Sequence, residues 1–489
     1  MSSLVKISFW LSLSELAFNI SGYIIHASMG RILDPAGYGR FSLIITFTTM
    51  IIVLIGRGVP ISTSKYLSEI TEDKANKYND IKRSALFLQT SIILIVSSVY
   101  FLSAPVFANL LNDPTLTNLF RISSLIIPAF ALSSLYAYYF NGIKDFKKVA
   151  FLKFWRAILK IIFIIGLGFL YKIKGAIIGQ ALAPFVVFLT AWFIDPFKKS
   201  KIKNQPNFKN NPLNKKLAKK LATFAGPIVI FMLFHELMLS MNLYMVKAIL
   251  QQDDLTGIYS AASTVSRIPY YLFFFMTIIL LPKISELIAN KKLAETQSLL
   301  QKAFKYLFLT LLPITFLLSL FSKSAVTFFY GDQYSLAGPI MSILIFGFAF
   351  LTVFYIITFV LNGAGKNKFP VLASITGTFL NAIVSFFLIK KFGLIGSAFG
   401  ITITAFIIMI WTLFYSNRNI VKFLNLFSIL KYLLASILIY FLGLNFFDQG
   451  RYTFFLWSFI LILLYLVLMI ITKEIGIRDW NYLKKSLKK

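Results

Sequence analysis

The chain contains no cysteine and only two histidines, His26 and His235. Disulfide bonds, thiolate metal sites and cysteine nucleophiles are therefore excluded, and a zinc or iron site would have almost no nitrogen ligands. The sequence also lacks a glycine-rich phosphate loop with a lysine, a Ser-His-Asp set and paired aspartates for metal-dependent group transfer. These absences argue against an enzyme, and we expect no bound cofactor.

Charged residues are scarce as well, at 14% of the 489 residues, whereas 58% are hydrophobic. No soluble globular class has this composition. A helix needs about 20 mainly apolar residues to cross the roughly 30 Å of a membrane core. The apolar runs between charged segments predict about fourteen such helices. The predicted fold class is therefore an all-α polytopic membrane protein.

The net charge of +31 would suggest nucleic acid as a partner for a soluble protein. Here the charge follows the loops: about 38 lysines and arginines fall on one face and about 10 on the other, if the N-terminus is cytoplasmic. Because basic loops stay inside, and the number of helices is even, we expect both termini in the cytoplasm. The prediction is a multi-pass protein of the cell (inner, cytoplasmic) membrane that binds no nucleic acid.

A basic segment, 198–220, carries nine lysines and no apolar period, which is typical of a flexible cytoplasmic linker. Beyond it the chain repeats at an offset of 221 residues, so that six helices occur twice. The matching positions include Asn141 with Asn362, Gly175 with Gly396, and Gly179 with Gly400. Since both copies start on the cytoplasmic side, the repeat is parallel, as in transporters built from two bundles. The predicted domains are a six-helix bundle (1–197), the linker (198–220), a second bundle (221–418), and two extra helices with a basic tail (419–489).

Three charges are predicted deep inside the membrane: Glu15, Glu236 and Arg267. We predict one helix from Gly257 to Pro282 with Arg267 near its middle, where an arginine costs at least about 2.5 kcal/mol on insertion scales. It should face a substrate path, or be held by a carboxylate that orients two helices. The glutamates are related by the repeat, and each is an ion-pair partner or a proton carrier. We expect the three around one cavity; a permanent bridge between Glu236 and Arg267 is the alternative.

Further cations extend inward from the predicted cytoplasmic side. Lys153, Arg156 and Lys160 share one face of a helix, since they are spaced i, i+3 and i+7. Lys153 is expected to reach up to the headgroups, whereas Lys160 is deep enough for a polar vestibule. Arg57 either guards the cavity entrance or anchors its helix at the interface. The candidate substrate-binding residues are therefore Arg267, Glu15, Glu236, Arg57, Arg156 and Lys160.

Four segments resemble the signatures of polysaccharide-biosynthesis flippases, the O-antigen flippase group of the multidrug/oligosaccharidyl-lipid/polysaccharide exporter superfamily. They are Arg31-Ile-Leu-Asp-Pro-Ala-Gly-Tyr-Gly-Arg-Phe-Ser, Gly257-Ile-Tyr-Ser-Ala-Ala, Tyr330-Gly-Asp-Gln-Tyr and Leu361-Asn-Gly-Ala-Gly-Lys. The resemblance covers nearly the whole chain. It implies two six-helix bundles around a cavity lined by helices 1, 2, 7 and 8. It also implies transport of a polyprenyl-diphosphate-linked oligosaccharide to the outer leaflet, with the diphosphate in a basic cavity.

The same resemblance implies a polysaccharide polymerase or glycosyltransferases as partners, and the membrane glutamates suggest a coupling proton or sodium ion. Three other functions stay open at this point. A cation-coupled multidrug exporter of the same superfamily is expected to have about twelve spans and an acidic cavity. A lipid II flippase would share the fold, and a membrane scaffold without transport would need no charges at the midplane.

Overall fold

The computed structural model describes residues 3–68, 75–195, 215–446 and 452–476, and within these ranges the regular structure is helical, with no strand. The predicted all-α fold class is therefore confirmed. In chain order the helices are α1 (Ser3–Ser68), α2 (Ala75–Leu102), α3 (Ala104–Leu110), α4 (Thr117–Ser123), α5 (Ile126–Gly142), α6 (Phe146–Phe193), α7 (Lys215–Leu250), α8 (Asp253–Ser266), α9 (Ile268–Leu272), α10 (Phe275–Ala289), α11 (Leu293–Leu320), α12 (Ser322–Tyr330), α13 (Ala337–Gly363), α14 (Lys368–Asn419), α15 (Leu426–Gly443) and α16 (Thr453–Ile471).

Eleven helical segments in the described ranges are long and apolar enough to cross a membrane. Three of them, within α1, α6 and α14, run for 56, 48 and 52 residues, over twice the length that one crossing needs. Each is broken inside by non-helical backbone, at Asp34, at Tyr171 and Lys172, and at Gly393. Counting each as two crossings gives the fourteen helices of the sequence prediction, a number that stays a prediction.

The internal repeat is visible in the backbone. Lys144 and Lys172 have left-handed φ values of 60° and 52°, and Gly365 and Gly393, 221 positions later, have φ values of 75° and 58°. The turn before α6 and the break inside it therefore recur before and inside α14. Both copies thus form the same helical hairpin.

The segment predicted as one helix from Gly257 to Pro282 is interrupted at two places. Arg267 lies between α8 and α9, and a second break at Phe273 and Phe274 separates α9 from α10. Pro269 lies in the first turn of α9, where its ring and its missing N–H prevent a regular bond to the preceding turn. The prediction of one membrane crossing agrees with the single candidate span Asp253–Ala289, with Arg267 near its middle, but this span consists of three consecutive helices and not of one.

The chain divides into two compact units, Met1–Ser260 and Ala261–Lys489. The division differs from the predicted domains because α7 packs against α1, so that residues 215–260 join the first unit. Residues 196–214, most of the predicted linker, lie outside the described residues.

Each unit has its own helical core. In the first unit α1 also packs against α5 and α6. In the second, α13 is buried along most of its length and packs against α10 and α14, while α11 packs against α15. α15 and α16 carry many exposed leucine, isoleucine and phenylalanine side chains, as expected for helices that face lipid.

Candidate functional site

The first candidate site is a cluster of charged residues between α1 and α6, here called the cation cluster: Glu15, Lys153, Arg156 and Lys160. The spacing along α6 places its three cations on one face, as predicted. The packing of α6 on α1 brings this face to Glu15, and Lys153 forms an ion pair with that carboxylate. Lys153 was expected to reach toward the headgroups; it binds Glu15 instead, because the carboxylate lies within its reach.

Aromatic rings form cation–π contacts with the other two cations. The guanidinium of Arg156 lies 5.4 Å from the centre of the Phe18 ring and 4.2 Å from that of Phe130, and Lys160 Nζ lies 5.0 Å from Phe18. Such contacts stabilise a cation without neutralising its charge. Among the residues that the structure describes, neither cation pairs with a carboxylate, and Arg156 Nε is buried without a hydrogen-bond partner.

The cation cluster lies within two segments that can cross the membrane, Leu13–Ser68 and Phe146–Phe193. One carboxylate faces three cations there, which leaves two positive charges without a counterion in the described part of the chain. Glu15 and Lys153 are 34% and 32% exposed, so the cluster is open to a ligand rather than sealed in the core. The arrangement is therefore suited to an anionic group.

Glu236 and His235 lie on α7 in the same unit. Glu236 is half-buried and accepts a hydrogen bond from Ser240 Oγ, one turn along the helix, at 3.3 Å. His235 is buried and stacks on Phe231, with ring centres 5.8 Å apart, which agrees with a packing role for the histidine.

Arg267 belongs to the second unit. It is half-buried, and its guanidinium lies 5.3 Å from the ring of Phe348 on α13. Because Glu15 and Glu236 belong to the first unit, their grouping with Arg267 around one cavity stays a prediction. The backbone of Arg57 is helical in α1, and its side chain lies outside what the structure describes.

A second group of charges, here called the charge network, joins four separate parts of the first unit: Arg40, Asp113, Lys247 and Asp253. Lys247, in the last turn of α7, binds Asp113 at 2.9 Å and Asp253 at 2.6 Å. Arg40 binds the same two carboxylates, at 3.2 and 2.9 Å. Lys247 is only 3% exposed. Two cations thus alternate with two carboxylates, and each charge has two opposite neighbours.

Close backbone packing accompanies the charge network. Gly39 of α1 lies against Gly257 of α8 so tightly that a side chain on Gly39 would meet the Gly257 nitrogen at 2.7 Å and the Asp253 carbonyl oxygen even closer. Asn112 adds a hydrogen bond to the Ala248 carbonyl oxygen at 2.8 Å. Glycine is required at both helix positions because any Cβ would separate the helices.

Asp113 lies between the membrane-crossing segments, in the turn after α3. Partial burial opposes its ionisation, but hydrogen bonds from Lys247, Thr115 and Arg40 outweigh that effect and lower the pKa of Asp113 from 3.8 to about 2. The carboxylate therefore stays charged at every physiological pH.

The charge network was not predicted from the sequence. Two features of the sequence could have indicated it. Its members lie at the ends of apolar runs, on the predicted face where lysines and arginines are rare, and Arg40 lies inside one of the four segments that resemble the family signatures. In the described residues no group of three His, Cys, Asp or Glu side chains could hold a metal ion.

Comparison with known proteins identifies the family. The family model for polysaccharide biosynthesis proteins matches residues 4–288, more than half of the chain, and the MatE model matches residues 227–387. MJ1068, a membrane protein of Methanocaldococcus jannaschii, is 25% identical over 441 residues, which cover 85% of this chain and 84% of the relative. The lipid II flippase MurJ of Bacillus subtilis is also 25% identical over 441 residues, covering 80% of this chain and 78% of MurJ.

Solved structures share the fold. A lipid II flippase MurJ in an inward closed conformation superposes with a TM-score of 0.76 at 19% identity, covering 96% of this chain and 99% of that one. An inward-facing multidrug transporter of the MATE family, of the MOP superfamily, gives a TM-score of 0.71 at 12% identity, covering 83% and 98%. The resemblance noted in the sequence is thus confirmed: the chain is a multi-pass membrane protein of the polysaccharide biosynthesis protein family, and it shares its fold with the MurJ flippase and with a MATE transporter.

Proposed function

We propose that the protein is a flippase that moves a polyprenyl-diphosphate-linked oligosaccharide, a repeat unit of a cell-surface polysaccharide, from the cytoplasmic to the outer leaflet of the cell membrane by alternating access. Both termini lie in the cytoplasm on this proposal, and a polysaccharide polymerase or glycosyltransferases act on the same substrate.

The observation that carries the proposal is the uncompensated charge of the cation cluster. A diphosphate diester carries two negative charges, and the cluster has two cations, Arg156 and Lys160, without a carboxylate partner among the described residues. Arg156 also has a buried, unused N–H donor there, and a guanidinium matches phosphate oxygens in geometry as well as in charge. Burying such charges in a membrane is costly unless a bound anion offsets them.

Lys153 is a third cation that can bind the substrate once its ion pair with Glu15 is broken. A phosphate oxygen that displaces the carboxylate of Glu15 binds Lys153, and Glu15 then takes up a proton or a sodium ion. Substrate binding and ion binding are coupled in this way at one residue. Glu236, Arg57 and Arg267 are proposed as contacts along the rest of the path.

The charge network supports alternating access. On the predicted topology it lies at the outer ends of the helices, and it joins helices of the first predicted bundle, through Arg40 and Asp113, to helices of the second, through Lys247 and Asp253. A path that opens outward between the bundles must break these four ion pairs. The network therefore holds the outer end closed in one state of the cycle.

Lipid II transport is the second candidate, because a curated relative is named as a lipid II flippase and lipid II carries the same polyprenyl diphosphate. Cation-coupled drug export is disfavoured by the surplus of positive charge, which repels cationic drugs. A scaffold without transport gives no reason for open, unneutralised cations within the membrane.

The test is leaflet exchange of a fluorescent polyprenyl-diphosphate oligosaccharide in proteoliposomes. The parent protein is compared with the double variant Arg156→Met and Lys160→Met, and with Lys147→Met as a matched control, because Lys147 is exposed in the first turn of the same helix. We expect a loss of exchange of at least about 100-fold in the double variant, from two charge-assisted bonds of roughly 1.5 kcal/mol each, and no change in the control.

Equal exchange by the double variant and the parent would contradict the proposed site. If the parent exchanges lipid II but not the oligosaccharide lipid, the substrate is peptidoglycan precursor. If it exchanges neither but exports a cationic dye from the same vesicles, the proposed function is wrong. The monodispersity and melting temperature of each variant separate a folding defect from a binding defect.

A further inference from the structure

The second half of α1 contains a turn, just before Pro60, whose backbone is held by other helices. Pro60 has no N–H, so the Gly56 carbonyl oxygen receives no hydrogen bond from the next turn of α1. Instead it accepts one from Ser134 Oγ of α5, at 2.5 Å. The buried side chain of Gln89, on α2, donates to the neighbouring carbonyl oxygen of Ile55 at 3.2 Å. Side chains of two other helices thus fix the position of this turn.

The ring of Phe130 lies directly against the same turn. A Cβ atom at Gly56 would meet Phe130 Cε1 at 2.6 Å and Cδ1 at 3.0 Å, so the ring occupies the space that a side chain at position 56 would need. Phe130 and Ser134 are one turn apart on α5. The hydrogen bond from Ser134 to Gly56 therefore holds α5 where the ring fits against the glycine.

The other contact of this ring is with the cation cluster. The guanidinium of Arg156 lies 4.2 Å from the centre of the Phe130 ring, closer than its 5.4 Å to Phe18. The N–H donors of an arginine lie in the guanidinium plane, so stacking on a ring leaves them available to an anion. In the described part of the chain, Arg156 Nε is buried and has no hydrogen-bond partner. The ring therefore orients the guanidinium without using its donors.

We propose that Phe130 is a positioning residue for the transported diphosphate. The turn at Gly56 sets the place of the ring, the ring sets the plane of the Arg156 guanidinium, and the donors in that plane bind a phosphate oxygen. This role rests on the proposed function, in which Arg156 binds the diphosphate. It also explains why glycine and proline lie close together in this turn of α1, since one admits the ring and the other frees the carbonyl oxygen that binds α5.

The test measures binding of inorganic pyrophosphate to the full-length protein in detergent, by isothermal titration calorimetry. Phe130→Leu removes the aromatic face and Phe130→Tyr keeps it; both are compared in the Arg156 and the Arg156→Met backgrounds. Phe140→Leu is the matched control. Phe140 is buried on the same helix, and its ring lies 5.2 Å from Lys148 Nζ, a cation outside the cation cluster.

We expect Phe130→Leu to weaken pyrophosphate binding about tenfold, as for the loss of a partly desolvated cation–π contact, and Phe130→Tyr to change it by less than about twofold. In the Arg156→Met background Phe130→Leu should have no effect, because no guanidinium remains to be oriented. Phe140→Leu should lower the melting temperature and leave the affinity unchanged. Equal weakening by Phe130→Leu in both backgrounds would overturn the positioning role and leave a packing role.

A second variant tests the turn itself. Gly56→Ala displaces the ring, so it should weaken binding about as much as Phe130→Leu. The two substitutions together should bind no more weakly than either alone, because leucine has no atom at the Cε1 position. Additive losses would contradict the contact between Gly56 and the ring. If the parent binds no pyrophosphate, the proposed diphosphate site is wrong, whereas binding that does not respond to Phe130→Leu would reject the positioning role alone.

Discussion

Removing Lys247 from the charge network should open the end of the first unit that the network closes. Lys247 is buried and binds two carboxylates. Deleting one partner of a buried ion pair costs about 3 to 5 kcal/mol. Arg40 remains within 3.2 Å of both carboxylates and still neutralises part of their charge. We therefore use the lower value, about 3 kcal/mol, as the free-energy cost of removing Lys247. At 1.4 kcal/mol per factor of ten, the ratio of closed to open molecules falls about 100-fold.

Because the chain contains no native cysteine, a single introduced cysteine is the only thiol that a labelling reagent can modify. Ser240, which is 1% exposed, lies seven residues before Lys247 on α7, about 10 Å deeper along the helix. The single cysteine of Ser240→Cys is labelled from outside the cell with a membrane-impermeant maleimide. The initial rate is compared between Lys247 and Lys247→Met backgrounds, with Lys174→Met as the control because Lys174 is exposed and lies at the predicted outer face.

We expect labelling to accelerate by one to two orders of magnitude in Lys247→Met, about 100-fold at most, and to stay unchanged in Lys174→Met. An unchanged rate in a folded Lys247→Met protein would refute the view that the charge network holds this end closed. Equal acceleration in both lysine variants would refute it too, because a general effect of lost surface charge would then explain the result.

Three further predictions follow from the same contacts. The lowered pKa of Asp113 means that its contribution, roughly 2 kcal/mol, is complete above pH 4 and is lost only as the pH falls toward about 2; the ratio of the labelling rates in the Lys247→Met and Lys247 backgrounds should therefore not vary between pH 5 and pH 8, because the pH dependence of the thiol itself cancels in that ratio. Lys172→Gly should raise the melting temperature in detergent, and Gly393→Lys should lower it, because a left-handed backbone costs a side-chain-bearing residue about 1 kcal/mol relative to glycine; opposite signs would contradict the assigned backbone. Glu15→Lys should abolish accumulation of folded protein and the exchanged pair Glu15→Lys with Lys153→Glu should restore it, as measured by size-exclusion chromatography; no rescue would show that the ion pair has no orienting role.

Local patterns in the sequence predicted the structural features that depend only on residues close together in the chain. The repeat offset located matching hairpins, because backbone conformation at Lys172 and Gly393 is decided by the turn residues and their neighbours. The spacing of Arg156 and Lys160 placed both on one face, because that depends only on the helical period. The interruption of the helix at Arg267 was also encoded locally, in Pro269, but the long apolar run around this proline predicted one continuous helix.

Contacts between distant segments were not predictable in the same way. Lys153 could have pointed to the headgroups or to any carboxylate at its depth, and only the packing of α6 on α1 selects Glu15. The charge network joins residues that lie up to about 210 positions apart in the chain, on four different elements. Hydrophobic periodicity carries no information about which of many terminal charges will meet.

The left-handed turn at Lys172 also bears on how the protein is made. The helix α6 reverses at this point with almost no residues outside helical geometry. Its two halves are therefore joined without a loop that would allow the first half to enter the membrane before the second. Both halves must therefore leave the translocation channel together, as a preformed hairpin, and the same holds for α14 at Gly393.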